Sequence, residues 1–230
     1  VWNRKMFQHI KRQADDASVK LAHERGACPD AADYGVMERF SNKMAIAPTA
    51  SISIICGGTS PGIEPNAANA YTHKTLSGSF AVRNQYLEKL LEEKGKNTEE
   101  IWSSIFTDEG SVQHLDFLSD DEKDVFKTAF EIDQNWLIEH AGDRTPFICQ
   151  AQSLNIFVPA TVHKSELHKI HWDAWAKGVK SLYYCRSKSI QRAESAASWH
   201  RSKQANDAAE PKQMELGEEP KKYEECLACQ

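Results

Sequence analysis

Between Ser153 and Tyr184 the chain reads strand, helix, strand, with short connections, and no other feature limits the fold as much. Ser153-Leu154-Asn155-Ile156-Phe157-Val158 is a short apolar run closed by Pro159. Ser165 opens a helical pattern that carries Leu167, Ile170, His171, Ala174 and Trp175 and stops at Gly178. Val179-Lys180-Ser181-Leu182-Tyr183-Tyr184 then returns to strand character. Strands joined through a helix run parallel, and the crossover is right-handed. Parallel sheets are covered on both faces, so the expected class is α/β, a sheet or barrel under helices.

The rest of the chain supplies those helices. Trp2, Met6, Ile10, Ala14, Ala17 and Leu21 recur at helical spacing, and the pattern stops near Gly26. Val1 already falls inside it and no capping residue precedes Trp2, so the fold is expected to start upstream. Residues 26–43 read as a loop with one helical turn. Met44 to Cys56 reads as a strand, a tight small-residue loop and a second short element, before the glycines at 57, 58 and 62. Residues 63–83 show no clear period. Asn84 opens a helix with Tyr86, Leu87, Leu90 and Leu91 that stops at Gly95, and Asn97 with Glu100 resembles a cap for the next. Ser119 with Glu122 forms a capping box, predicting a helix through Val125, Phe126, Ala129 and Phe130. A further helix covers about 132–141.

Hydrophobic residues make up 40% of the 230 and charged residues 27%, enough apolar material for a core. A net charge of −5 argues against binding nucleic acid or an anionic membrane through an overall basic surface. No apolar run reaches the roughly 18 residues of a membrane span, and the first residues carry no signal core. Beyond Ser187 large apolar residues nearly vanish, so 195–230 reads as a flexible tail behind one domain, 1–194.

Six cysteines in a chain this long do not make a secreted disulfide scaffold, and only Cys226 and Cys229 form a close pair. Two thiols two residues apart exchange electrons readily with other dithiols. Zinc is the competing use, but it needs about four ligands, and two inert terminal cysteines are the plain alternative. Since 34 residues separate Arg192 from Cys226, the tail spans about 30–35 Å, which suits a shuttle better than a fixed site. Tyr183 and Tyr184 end a predicted strand. Aromatic pairs there usually pack, and on a regular strand the rings point to opposite faces, so joint action requires the strand to end or bend. The loop from Pro48 to Ser53 offers N–H groups and hydroxyls that suit phosphate oxygens, but taken alone the signal is weak and an ordinary turn is the better reading. His168 and His171, with Glu166 near, have a spacing that metal ligands use; a solvated helix face is the simpler reading, and no metal site is assigned.

Taken in order, four stretches resemble the C-terminal part of the large (α) subunit of class I ribonucleotide reductases of the bacterial and phage type. They are Met44 to Ser51 continuing to Gly62-Ile63-Glu64-Pro65; Leu76-Ser77-Gly78-Ser79-Phe80 to Leu87; Asp143-Arg144-Thr145-Pro146-Phe147-Ile148 to Asn155; and Lys177 to Tyr184, continuing to Arg186-Ser187. The terminal cysteine pair fits as well. The resemblance implies the later part of a ten-stranded α/β barrel, completed by an N-terminal partner. It implies the reduction of ribonucleoside diphosphates to deoxyribonucleotides in the bacterial cytoplasm, from a cellular or phage gene. Pro48, Thr49, Ala50, Ser51 and Ile52, with Ser53 close by, would hold the substrate diphosphate. Tyr183 and Tyr184 would relay the radical from the small subunit to the active-site cysteine. Cys226 and Cys229 would re-reduce the active-site disulfide and be reduced in turn by thioredoxin or glutaredoxin.

The same resemblance places the thiyl cysteine, its Asn and Glu neighbours and the active-site disulfide on earlier strands that this sequence lacks. The sites for ATP and deoxynucleotide effectors are also expected there. No cofactor is expected on this chain, because the radical comes from the di-metal small (β) subunit. A half barrel exposes strand edges, so the chain is expected to need a partner carrying the earlier strands. The alternative from another class is a stand-alone dithiol redox or interaction module that uses neither the tyrosine pair nor the phosphate loop.

Overall fold

The computed structural model describes residues 1–57, 59–75 and 78–187. Helix α1 (Trp2–Arg25) ends at Gly26, and the short α2 (Pro29–Asp33) follows. Where a strand and a second element were expected, Ile46 makes one parallel bridge to Gln152, and the second element is a helix, α3 (Ala50–Ile55). The stretch without a clear period is an antiparallel hairpin, β1 (Ala70–Thr75) on β2 (Gly78–Arg83), in register from Ala70 opposite Arg83 to Thr75 opposite Gly78. From Ser79 to Arg83 the residues are all half-buried, so no in–out alternation marks the strand.

Four helices follow. Asn84 caps α4 (Gln85–Glu93) by accepting the Tyr86 N–H. Helix α5 (Glu99–Thr107) is capped by Thr98, because Asn97 is used elsewhere: its Oδ1 accepts the Trp102 indole N–H at 2.7 Å. The Ser119–Glu122 box opens α6 (Asp120–Val125), which stops five residues short of the predicted Phe130. The buried Asn69 amide takes the Phe126 carbonyl at 2.7 Å, and Ala129 and Phe130 pack into a third apolar cluster from a loop. Helix α7 (Gln134–Arg144) runs into a 3₁₀ turn, Thr145–Phe147.

The parallel βαβ unit is present. It comprises β3 (Ile156–Val158), α8 (Lys164–Ala176) and β4 (Cys185–Ser187), with Ile156 paired to Cys185 and Val158 to Ser187. Two details differ from the sequence reading. His163, whose ring accepts the Ser165 N–H, caps α8. The second strand begins at Cys185, because residues 179–184 first lay Val179 and Leu182 against the core. Every residue of β3 is buried, as a parallel strand covered on both faces requires. Ile156 and Val158 join α7 and α8 in one cluster, and Phe157 meets Phe130 edge-on with centroids 5.2 Å apart in another. A separate core unites the hairpin with α4 and α5 around the fully buried Trp102, Leu87, Leu91 and Ile105. Among the described residues no helix is long and apolar enough to cross a membrane.

Helix α1 corrects its own pattern. Trp2, Met6 and Ile10 are 76%, 57% and 45% exposed, and only Ser18 and Ala22 are buried. The face laid on α7 is polar and aromatic instead. Asn3 donates to the His140 carbonyl, Arg4 faces Asp143 and Phe7 lies under the Arg144 guanidinium. Toward its other end, Ser18 Oγ accepts the N–H groups of Arg39 and Phe40, and Lys43 reaches Asp15 at 2.6 Å and Glu38 at 3.0 Å.

This network predicts acid sensitivity. Hydrogen bonds from Lys11 and Lys43 hold Asp15 below the usual carboxylate range, and those from Ser18 and Lys43 do the same for Glu38. Groups with depressed folded-state pKa values stabilise the fold above their unfolded values, and that contribution is lost as pH falls through the folded ones. The denaturation midpoint should therefore be flat between pH 7 and about 5 and drop below about pH 4. Asp15→Asn should flatten part of the drop, and an equally steep profile in that variant would remove the network as its cause.

Candidate active site

The loop leading into α3 carries an unusual backbone. Thr49 sits in the left-handed region at φ 52° and ψ 22° as the residue before the helix. A threonine there costs roughly 1–3 kcal/mol, and such strain persists only where neighbours hold it. Here the neighbour is Gly62, whose N–H donates to Thr49 Oγ1 at 3.0 Å. Gly62 itself has φ +90°, a conformation that favours glycine, and a Cβ on it would sit 2.5 Å from Glu64 Oε2, so that carboxylate would have to shift. Pro48, Ala50, Ser51 and Ile52 are exposed, and the first N–H groups of α3 lack intrahelical acceptors. Ser53 is buried, and its hydroxyl donates to the Ala50 carbonyl at 2.7 Å, so that hydroxyl braces the helix rather than facing outward.

Tyr183 and Tyr184 do come together. Their ring centroids are 4.1 Å apart at an interplanar angle of 52°. Adjacent residues on a regular strand cannot do this, and the structure solves the problem by starting β4 only at Cys185. The irregular approach is fixed by backbone bonds. Tyr183 N–H donates to Leu154 O at 2.8 Å, and Tyr184 O accepts the Ile156 N–H at 2.8 Å. The Arg186 guanidinium lies 5.5 Å from the Tyr184 ring centroid, and both tyrosines remain exposed to solvent.

Residues 30–185 match the family model for the ribonucleotide reductase barrel domain. The chain belongs to the ribonucleotide reductase family. It is 43% identical to the ribonucleoside-diphosphate reductase large subunit of Invertebrate iridescent virus 6, over 96% of this chain and 24% of that protein. With the corresponding subunit of Invertebrate iridescent virus 3 it shares 45% identity, over 82% of this chain and 30% of that one. Among solved structures it is similar to the Actinobacillus ureae class Id ribonucleotide reductase alpha subunit, with a TM-score of 0.74 and 41% identity. That likeness covers 81% of this chain and 34% of the other. The chain thus spans about a quarter to a third of the length of these reductases.

Both the loop and the tyrosines of this reductase chain fall inside the matched region. Cys226 and Cys229 lie outside the described residues, as does the tail from residue 195. Cys28, Cys56, Cys149 and Cys185 are free thiols. Burial pushes the Cys149 thiol up, but the N–H groups of Met44 and Lys43, each 3.1 Å from Sγ, outweigh it and hold the thiol below its ordinary value. His168 lies beside Trp172, and His171 Nδ1 bonds the Leu167 carbonyl within its own helix. Among the described residues no group of three or more His, Cys, Asp or Glu is placed to hold a metal ion.

Reading the sequence left two residues of the site without a role, Glu64 and Asn155. Glu64 is 4% exposed, and its Oε1 accepts the Asn155 N–H. A lone acidic residue between Ile63 and Pro65 gives no local sign of this, because its partner is 91 residues away.

Proposed function

We propose that this chain is the C-terminal part of the α subunit of a class I ribonucleoside-diphosphate reductase. In this reading an N-terminal portion supplies the earlier strands of a ten-stranded barrel, with the thiyl cysteine and the effector sites. The loop Pro48, Thr49, Ala50, Ser51 and Ile52 holds the substrate diphosphate with N–H groups and the Thr49 and Ser51 hydroxyls. Tyr183 and Tyr184 pass a radical hole inward from the small subunit, which generates it. Each phenol gives up an electron together with its O–H proton and regains both when the hole moves on. Cys226 and Cys229 reduce the active-site disulfide by thiol–disulfide exchange and are then reduced by thioredoxin or glutaredoxin.

The observation that carries this reading is the contact of the two phenol rings, 4.1 Å between centroids, at a break in the strand. Two further observations support the missing partner. Trp2, Met6 and Ile10 form an exposed apolar stripe, and the three residues of β4 are exposed beside the buried β3. Such an edge and stripe favour burial against another part of the fold.

The test is nucleoside diphosphate reduction with the small subunit and a thiol donor, using this chain alone and then with the N-terminal portion added. Activity is expected only in the mixture. Association without reduction would overturn the functional reading, and activity of this chain alone would overturn the completed barrel.

A further inference from the structure

Hydrogen bonds connect the loop that begins at Pro48 to the tyrosine pair through two residues, Glu64 and Asn155. Gly62 closes the loop onto Thr49 Oγ1. Two residues on, the buried Glu64 accepts the Asn155 backbone N–H at Oε1. Asn155 Oδ1 in turn accepts the Tyr184 N–H at 3.2 Å. Asn155 therefore meets the loop with its backbone and the tyrosine with its side chain. The Ser60 hydroxyl also donates to the Glu64 carbonyl, so the loop grips Glu64 from its main chain as well.

The other carboxylate oxygen, Glu64 Oε2, is buried and has no hydrogen-bond partner. It lies directly over the Gly62 backbone, where even a methyl group would collide with it. A shift of the Gly62 backbone toward it would therefore press on this carboxylate. A buried acceptor without a donor also favours any shift that brings one to it.

We infer that Glu64 and Asn155 are positioning residues that transmit occupancy of the loop to the tyrosine pair: a diphosphate bound at Thr49–Ile52 steadies the backbone of Tyr184. The inference rests on the reading of that loop as the diphosphate site. Coupling of this kind is a measurable free energy between two sites, and a discrete hydrogen-bonded network with two arrangements is its physical carrier.

The experiment is hydrogen exchange of the Tyr184 amide in the assembled protein, with and without saturating cytidine diphosphate, alongside a direct binding measurement. In the unmodified protein the nucleotide should slow that exchange by about fivefold or more. Glu64→Gln, which keeps an oxygen for the Asn155 N–H, should retain the effect. Glu64→Ala and Asn155→Ala should lose it while still binding nucleotide. Asn155→Ala leaves the Glu64 bond to its backbone intact, so it tests the coupling even if Glu64→Ala fails to fold. Nucleotide that binds without changing Tyr184 exchange, or full protection in Asn155→Ala, would overturn the inference alone. Failure of the unmodified protein to bind nucleotide would overturn the reading of the loop, and the inference with it.

Discussion

Replacing Tyr184 with Phe should take nucleoside diphosphate reduction by the assembled enzyme to background while leaving the fold unchanged. The substitution deletes one hydroxyl and nothing else. The ring that lies 4.1 Å from Tyr183, centroid to centroid, remains, as does the aromatic face beside Arg186. The backbone bonds that set the approach to β4, from Tyr184 N–H to Asn155 and from Ile156 N–H to Tyr184 O, do not involve the side chain. Tyr184 is 41% exposed, so the change in stability should stay within about 0.5 kcal/mol. What disappears is the proton that must leave with the electron. The measurement is turnover beside a denaturation curve for the same variant. Activity within twofold of the parent would remove Tyr184 from the relay, and loss of activity with a collapsed melting curve would assign it to structure instead.

The second large effect concerns stability. Trp102→Ala should destabilise the assembled protein by roughly 3–5 kcal/mol. Trp102 is fully buried at the junction of the hairpin, α4 and α5, among Leu87, Leu91 and Ile105. Three contributions are lost together, and their sizes show which dominates. The indole hydrogen bond to Asn97 is worth about 0.5–1.5 kcal/mol and the Arg83 guanidinium over the ring about 0.5–1 kcal/mol. Burial and the cavity left behind account for most of the rest. Against a total stability of about 5–15 kcal/mol, such a loss is a large share. A denaturant midpoint series with Trp102→Phe between the two checks it. A loss below about 1.5 kcal/mol would mean that the surrounding helices close the cavity and that this cluster is not the main core of the 70–118 region.

Four stretches show why some elements were legible and others were not. The Ser119–Glu122 box and the Asn84 cap were readable because a capping side chain and its N–H partner lie within three residues of each other. The hairpin 70–83 was not. Ser79 to Arg83 are all half-buried, so no alternation marks that strand, and no Asn-Gly or Asp-Gly pair announces the pairing of Tyr71 with Val82. The stripe on α1 misled for another reason. Helical spacing identifies an apolar face, but which neighbour covers it depends on partners elsewhere, and among the described residues α1 meets α7 through Asn3, Arg4 and Phe7.

By itself, the sequence determined the α/β class, the parallel βαβ unit and the chemical candidates: the loop from Pro48, the tyrosine pair and the terminal dithiol. These are local properties, written in periodicity, capping and short motifs. Only the tertiary structure decided that the Tyr183 and Tyr184 rings meet, because a strand places neighbours on opposite faces and the irregular approach before Cys185 packs Val179 and Leu182 against the core. It also decided that the loop and the tyrosines share a hydrogen-bonded connection. Glu64 reaches Asn155 across 91 residues, and Asn155 reaches Tyr184 across 29. No local rule records such distances, since they exist only once β3 is buried between the packed helices and the strand that follows them.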